Sequence, residues 1–378
     1  MLLRPLRQLT QRGTDRSEKP LNLALQGGGA HGAFTWGVLD RLLEDDRPRF
    51  ASVSGTSAGA MNAAVLAAGL MEDGRDGARA KLEAFWRGVS EAARLSPLAR
   101  HPLDLRGEAP GGSWSTNHLA FDALTRYFSP YQLNPLDFNP LRDLLGELVD
   151  FKRLRRQSPL RLFIAATEVS SGEARIFETQ EVLIDAVLAS ACLPHLHKAV
   201  KVGRRYYWDG GYSANPAILP LVRDGLAEDT LLVQIDPTRE AALPTKAPEI
   251  LGRLNRIVFN APLRREIELI EQSRALAREG LTFGGRQRRR VARHRFHHIE
   301  AARVTADLDP VSKLTPDWDF VCHLRDGGRA AAEAWLQKYV AMVGRRSTVN
   351  LAAKFLEPVR TRTANRGTQR SPRRRSTG

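Results

Sequence analysis

Apolar and polar positions along this chain follow two periods in turn. Short apolar runs at 21–25, 50–54, 160–169 and 230–235 predict buried strands. Between the first two, Phe34, Val38, Leu39, Leu42 and Leu43 recur at helical spacing. Residues 58–70 are almost wholly apolar, which predicts a helix buried on all sides and ending near Gly69. Farther on, 174–178 reads as a strand facing 160–169 across a Ser-Ser-Gly-Glu turn. Residues 183–192 read as a buried helix stopped by Pro194, and 199–202 and 205–208 flank Gly203-Arg204 as a hairpin. A long helix is expected over 250–279, broken or kinked at Pro262. A strand near 297–302 and a helix over 330–342 complete the pattern, with no internal repeat. Strands alternating with helices predict an α/β fold of three α/β/α layers around a mainly parallel sheet.

The same pattern suggests how the chain is divided. Residues 1–20 form a polar leader, 21–345 one folded domain, and 359–378 a basic tail expected to be disordered. The tail holds seven arginines and no acid, so it cannot build a core. Residues 95–140 carry six prolines, a Gly-Gly pair and scattered aromatics, the composition of a lid or an insertion.

Composition narrows the function classes. With 378 residues and 42% apolar content the chain can bury a sizeable core. No apolar run approaches a membrane span, and the N-terminus does not read as a secretory signal. Two cysteines, Cys192 and Cys322, predict a reducing, cytoplasmic setting and no disulfide framework. The net charge of +15 concentrates in the tail and in the run from Arg286 to Arg295. Either cluster is solvated charge or a peripheral contact with an anionic membrane. Nucleic acid is the weaker expectation, since nothing resembles a nucleic-acid module.

Two glycine-rich turns carry the candidate chemistry. Gly55-Thr56-Ser57-Ala58-Gly59 follows one strand and precedes a helix, as a nucleophile elbow does. There the serine sits on a sharp turn, and the helix N-terminus favours negative charge forming beside it. Gly27-Gly28-Gly29-Ala30-His31-Gly32 follows the first strand and can aim consecutive N–H groups at one oxyanion. Gly27, Gly29 and Gly32 also match the dinucleotide-binding spacing, but the next strand ends in Ser54-Gly55, without the acid that holds a ribose. A serine needs a base. None of the nine histidines stands in a recognisable triad context; His294, His297 and His298 fall in the basic run and read as surface residues. Asp209-Gly210-Gly211 follows a strand and reads either as a plain turn or as the missing base.

Taken together, Gln26 to Gly32, Gly55 to Gly59 and Asp209-Gly210-Gly211, in that order, resemble the patatin-like phospholipases. The resemblance implies a patatin-like fold and hydrolysis of lipid acyl esters by a Ser–Asp dyad, with no metal and no cofactor. Ser57 would be the nucleophile, Asp209 the base, and the N–H groups around Gly28 and Gly29 the oxyanion hole. The implied substrate is a lipid acyl ester, attacked as by a phospholipase A or lysophospholipase. Neutral lipids, polyesters, thioesters or acyl transfer remain alternatives on the same site, and a non-catalytic membrane or nucleic-acid binder is the alternative of another class. The family often carries Arg or Lys where this chain has His31, which makes the charge of that loop dependent on pH.

Overall fold

The computed structural model describes residues 18–94 and 128–357, apart from 241–242, 279–284, 306–307 and 309. Most of the leader, residues 95–127 of the expected lid, and the tail from 358 onward lie outside the described residues.

Among the described residues, eight strands form one sheet: β1 (Lys19–Leu25), β2 (Pro48–Thr56), β3 (Arg161–Glu168), β4 (Ala174–Glu178), β5 (Val200–Val202), β6 (Arg205–Asp209), β7 (Asp229–Gln234) and β8 (Arg295–Glu300). The order is β5-β6-β3-β2-β1-β7-β8, and β4 pairs with β3 off this path. The run from β3 to β8 is parallel, and β4, β5 and β6 attach antiparallel. The sheet is thus parallel at its centre and mixed at one end. Every residue of β7 is buried, as are the last five of β1, because a parallel sheet is covered on both faces.

The pleat sorts the core into two layers. Leu21, Leu23 and Leu25 of β1 face the layer made by α1 (Ala33–Leu43), α2 (Ala58–Arg94) and α5 (Trp318–Tyr339). Ala24 and Leu232 face the opposite layer, where Leu263, Ile267 and Ile270 of α4 (Ala247–Arg278) pack with Leu221 and Phe355. Between β4 and β5 lies α3 (Ile184–Ser190), whose last five residues, Ala186 to Ser190, are buried. At the α1–α5 crossing, a Cβ on Gly37 would strike the Arg325 carbonyl and one on Gly328 the Phe34 carbonyl. Two glycines therefore let the helix backbones touch.

Three sequence expectations change. The apolar helix does not stop at Gly69. It runs to Asp73–Gly74, where the backbone leaves helical geometry (Gly74 φ 57°), and a second helix continues to Arg94. Gly69 instead lets the second helix close on the first, since a Cβ there would meet the Ala78 backbone. In α4, Pro262 sits inside one continuous helix. The histidines of the basic run are not surface residues: His294 and His297 are 1% and 0% exposed and His298 is half-buried. The cause is β8, which continues the sheet beside β7 and is covered by Trp335 on one side and Phe355 on the other.

Candidate active site

The two glycine turns and Asp209 converge at the carboxyl ends of the central strands, where ligands bind in open α/β sheets. β2 ends in Thr56, and Ser57 follows with φ 54°, a left-handed conformation that a side chain rarely adopts. The turn is this tight because its flanking positions have no side chain. A Cβ on Gly55 would lie 2.5 Å from the Gly59 carbonyl, and one on Gly59 would strike the Leu25 carbonyl. The Ser57 N–H donates to Ser190 Oγ at 2.9 Å, while its carbonyl accepts from Ala60 and Met61 to start α2. Ser57 thus sits at the N-terminus of a buried helix and keeps 8% exposure.

Asp209 closes β6, and its N–H donates to the Cys192 carbonyl at 2.8 Å. Register pairs it with Ala166 near the carboxyl end of β3, one strand from β2, which brings it to Ser57 from 152 residues downstream. Thr56 Oγ1 donates to the Ala214 carbonyl at 2.6 Å and ties the elbow to the turn after Asp209. Asp209 is 1% exposed. Its Oδ1 accepts the Gly211 N–H at 2.7 Å; its buried Oδ2 has no well-formed hydrogen bond, although the Ser57 hydroxyl is near enough to favour the charged carboxylate. Burial pushes the carboxyl up to about 7, against the smaller opposing effects of Gly211, Ser57 and the Lys313 charge.

The first glycine turn lies beside this pair. Each of its glycines has its own reason. A Cβ on Gly27 would come 2.7 Å from Ser57 Cβ, one on Gly28 2.9 Å from Ile235, and one on Gly32 2.5 Å from Ala58 Cβ. Gly29 has φ 57° and backs onto the Lys313 carbonyl. Gly27 was expected to share in the N–H cluster, but its N–H donates to Asn215 Oδ1 at 2.8 Å. The next N–H groups, on Gly28 and Gly29, precede the first hydrogen bond of the 3-10 turn, which runs from His31 N–H to the Gly28 carbonyl.

His31 departs from expectation in a different way. It is 3% exposed, holds Ser312 Oγ through Nε2 at 2.7 Å, and meets Phe320 edge to face. Burial and the nearby Lys313 charge lower its pKa to about 3, so it is neutral at physiological pH and gives the loop no titrating charge. The fixed cation nearby is Lys313, paired with Asp236 at 2.6 Å just beyond β7. Gln26 braces the same corner, accepting from the Ile235 and Asp236 N–H groups and donating to Asn260.

Ser190, Asn215 and the Lys313–Asp236 pair were not singled out from sequence. The first two left a faint trace: a lone hydroxyl near the end of an apolar helix, and an amide directly before a proline. His197 lines a cavity of about 270 Å³ that also touches Met61, one turn after Ser57, and Cys192.

This arrangement offers a hydroxyl on a strained turn, a buried carboxyl facing it and N–H donors alongside, the parts of an acyl-transfer site. The patatin-like phospholipase family model matches residues 23–222, just over half of the chain and all three motifs. The chain belongs to the patatin-like phospholipase family, a family of lipid acyl hydrolases. No curated protein matches it. Among solved structures it is similar to VipD from Legionella pneumophila, at 16% identity and a TM-score of 0.31, covering 85% of this chain and 67% of that one. It is also similar to the type III effector ExoU, at 16% identity and a TM-score of 0.32, covering 85% of this chain and 53% of that one. ExoU in complex with SpcU from Pseudomonas aeruginosa matches at 16% identity and a TM-score of 0.28, with 85% and 76% covered. The chain thus spans about half the length of the ExoU chain in the second of these. No helix among the described residues is long and apolar enough to cross a membrane.

Proposed function

We propose that this protein is a lipid acyl hydrolase of phospholipase A or lysophospholipase type, acting through a Ser57–Asp209 dyad. The observation that carries this reading is the buried Asp209 carboxyl. One of its oxygens is held by Gly211 and the other is free of strong partners, beside the strained Ser57 elbow.

Ser57 Oγ attacks the ester carbonyl carbon and its proton passes to Asp209 Oδ2. The carbonyl oxygen becomes an oxyanion facing the Gly28 and Gly29 N–H groups and the N-terminus of α2. Collapse breaks the ester C–O bond, and the departing alcohol takes the proton from Asp209. Water then attacks the acyl-enzyme while Asp209 accepts its proton. The second collapse frees the fatty acid and returns the proton to Ser57. A pKa near 7 suits Asp209 to both directions of transfer at neutral pH.

The test is hydrolysis of a phospholipid, a lysophospholipid and a soluble short-chain ester by Ser57→Ala and Asp209→Asn proteins. Each substitution is expected to lower turnover by about 10³-fold or more while the protein still melts cooperatively. Full activity in a folded Ser57→Ala protein would sink the proposal.

A further inference from the structure

Away from the motifs, residues 128–138 present an unusual surface. Leu136 is 92% exposed and Phe138 68%, with Phe128, Tyr131 and Leu133 also exposed nearby in the chain. These side chains do not wave free, because their backbone is pinned to the β5–β6 hairpin and its approach. The Ala199 N–H donates to Tyr131 Oη at 3.2 Å, and Lys198 Nζ donates to the Pro135 carbonyl at 2.9 Å. A short helix, Pro130–Leu133, and the Asn134–Phe138 turn, closed by two Asn134 side-chain hydrogen bonds, hold the apolar groups outward. Such exposure of large apolar groups on a braced backbone marks an interaction surface.

Three observations say what covers it. The patch is interleaved with cations: Lys198 lies over the Tyr131 ring and Lys201 over the Tyr206 ring, with Arg204 at the hairpin tip. Among the described residues these three have no acidic partner, whereas Arg142 and Arg205 on the same side are neutralised by Asp185 and Glu168. Aromatic rings paired with lysines around protruding Leu and Phe form the pattern of a membrane interface, where stems bury and charged heads meet phosphates. The third observation is the 270 Å³ cavity. The exposed Phe138 and Lys201 line it together with two buried residues next to the dyad: Met61, one turn after Ser57, and Cys192, whose carbonyl accepts the Asp209 N–H.

We propose that this face docks on an anionic lipid bilayer, with Leu136 and Phe138 entering the acyl layer and Lys198, Lys201 and Arg204 contacting headgroup phosphates. It rests on the lipid hydrolase reading above and adds the surface through which the substrate arrives. Two acids, Asp137 and Asp185, also line the cavity; Asp185 is paired with Arg142, which leaves Asp137 set against those cations.

The test uses the full chain with Ser57→Ala, so that binding is read without lipid being consumed and does not depend on the dyad. Co-sedimentation is measured with vesicles of phosphatidylcholine mixed with phosphatidylglycerol and with phosphatidylcholine alone. Binding should favour the mixed vesicles and weaken with added salt. Adding Leu136→Asp with Phe138→Asp, or Lys201→Glu with Arg204→Glu, should each lower partitioning by about tenfold or more without moving the melting temperature. The proposal is overturned if these proteins bind as their parent does. It is equally overturned if only removal of residues 358–378 abolishes binding, or if the parent binds neither vesicle, which would turn the face toward a protein partner.

Discussion

In the proposed mechanism, Asp209 is the residue on which the chemistry turns. Its carboxyl sits near 7 in the fold and near 4 in an unfolded chain, because burial disfavours the charge. A base must be ionised, so kcat/KM for a soluble ester should rise with pH through a midpoint near 7. In Lys313→Ala that midpoint should move upward, since the Lys313 charge favours the carboxylate. A profile flat through neutrality would exclude Asp209 as the base. Stability carries the opposite sign. A raised folded pKa contributes stability below about 4 that is lost as pH rises through 7. Asp209→Asn, which can still accept the Gly211 N–H, should therefore melt higher than the parent above pH 7 and gain little in acid. Ser190 makes a second residue-level case. Ser190→Ala leaves the buried Ser57 N–H without its acceptor, at a cost of about 1–3 kcal/mol, and should lower turnover as the elbow relaxes. The elbow was legible in sequence because glycine at 55 and 59 is a steric requirement of the turn itself. Ser190 and Asn215 were not, because each serves a backbone N–H more than 130 residues away.

Among the elements, β7 and β8 show where local reading failed. A run of arginines and histidines looks like solvated surface, yet its end is a sheet strand. Asp229 at the start of β7 accepts from His297 Nε2 at 3.0 Å, from Arg295 and from the Gly344 N–H. On its other side the His297 ring meets Thr348 Oγ1 at 3.0 Å. This hydroxyl–imidazole–carboxylate chain has the composition of a catalytic relay. It stands toward the amino ends of β7 and β8, however, whereas Ser57 follows the carboxyl end of β2, and it locks the 344–348 segment in place. Burial alone would raise the Asp229 pKa, but His297, Arg295 and Gly344 outweigh it and hold the carboxyl at about 2. A lowered folded pKa gives stability above about 4 that is lost as pH falls toward 2. Asp229→Asn should thus flatten the acid side of the melting-temperature profile. His297→Ala, which removes one buried hydrogen-bond partner of Asp229, should cost about 1–3 kcal/mol with ester turnover per folded molecule unchanged. A loss of turnover at constant stability would contradict a purely structural relay. Arg295 belongs to this network, and Arg290 donates to the Gly225 carbonyl, so two arginines of the basic run are occupied by the fold itself.

For the whole molecule, the alternation of strand and helix was enough to predict three layers, because each strand buried on both faces reads as a continuous apolar run. The antiparallel end of the sheet was harder to read. β5 and β6 were visible as a hairpin, but nothing local to residues 199–209 says that β6 should continue beside β3 and deliver Asp209 to the elbow. That placement is a property of the sheet and of the pairing of Asp209 with Ala166. The braced apolar turn at 128–138 was likewise hidden inside a stretch whose prolines suggested only irregularity.

The order of the strands has a consequence for dissecting the protein. The segment that matches the family ends at residue 222, yet β1 lies between β2 and β7, and α1 is covered by α5 from Trp318 onward. A fragment stopped at 222 would keep Ser57 and Asp209 and still present an unpaired edge in the middle of the native sheet, beside an uncovered apolar helix. Such edges recruit other chains. Expressed alone, residues 18–222 are expected to aggregate, and co-expression with 223–357 as a separate polypeptide should recover soluble protein by complementation. The three motifs therefore define a family signature without defining an autonomous folding unit.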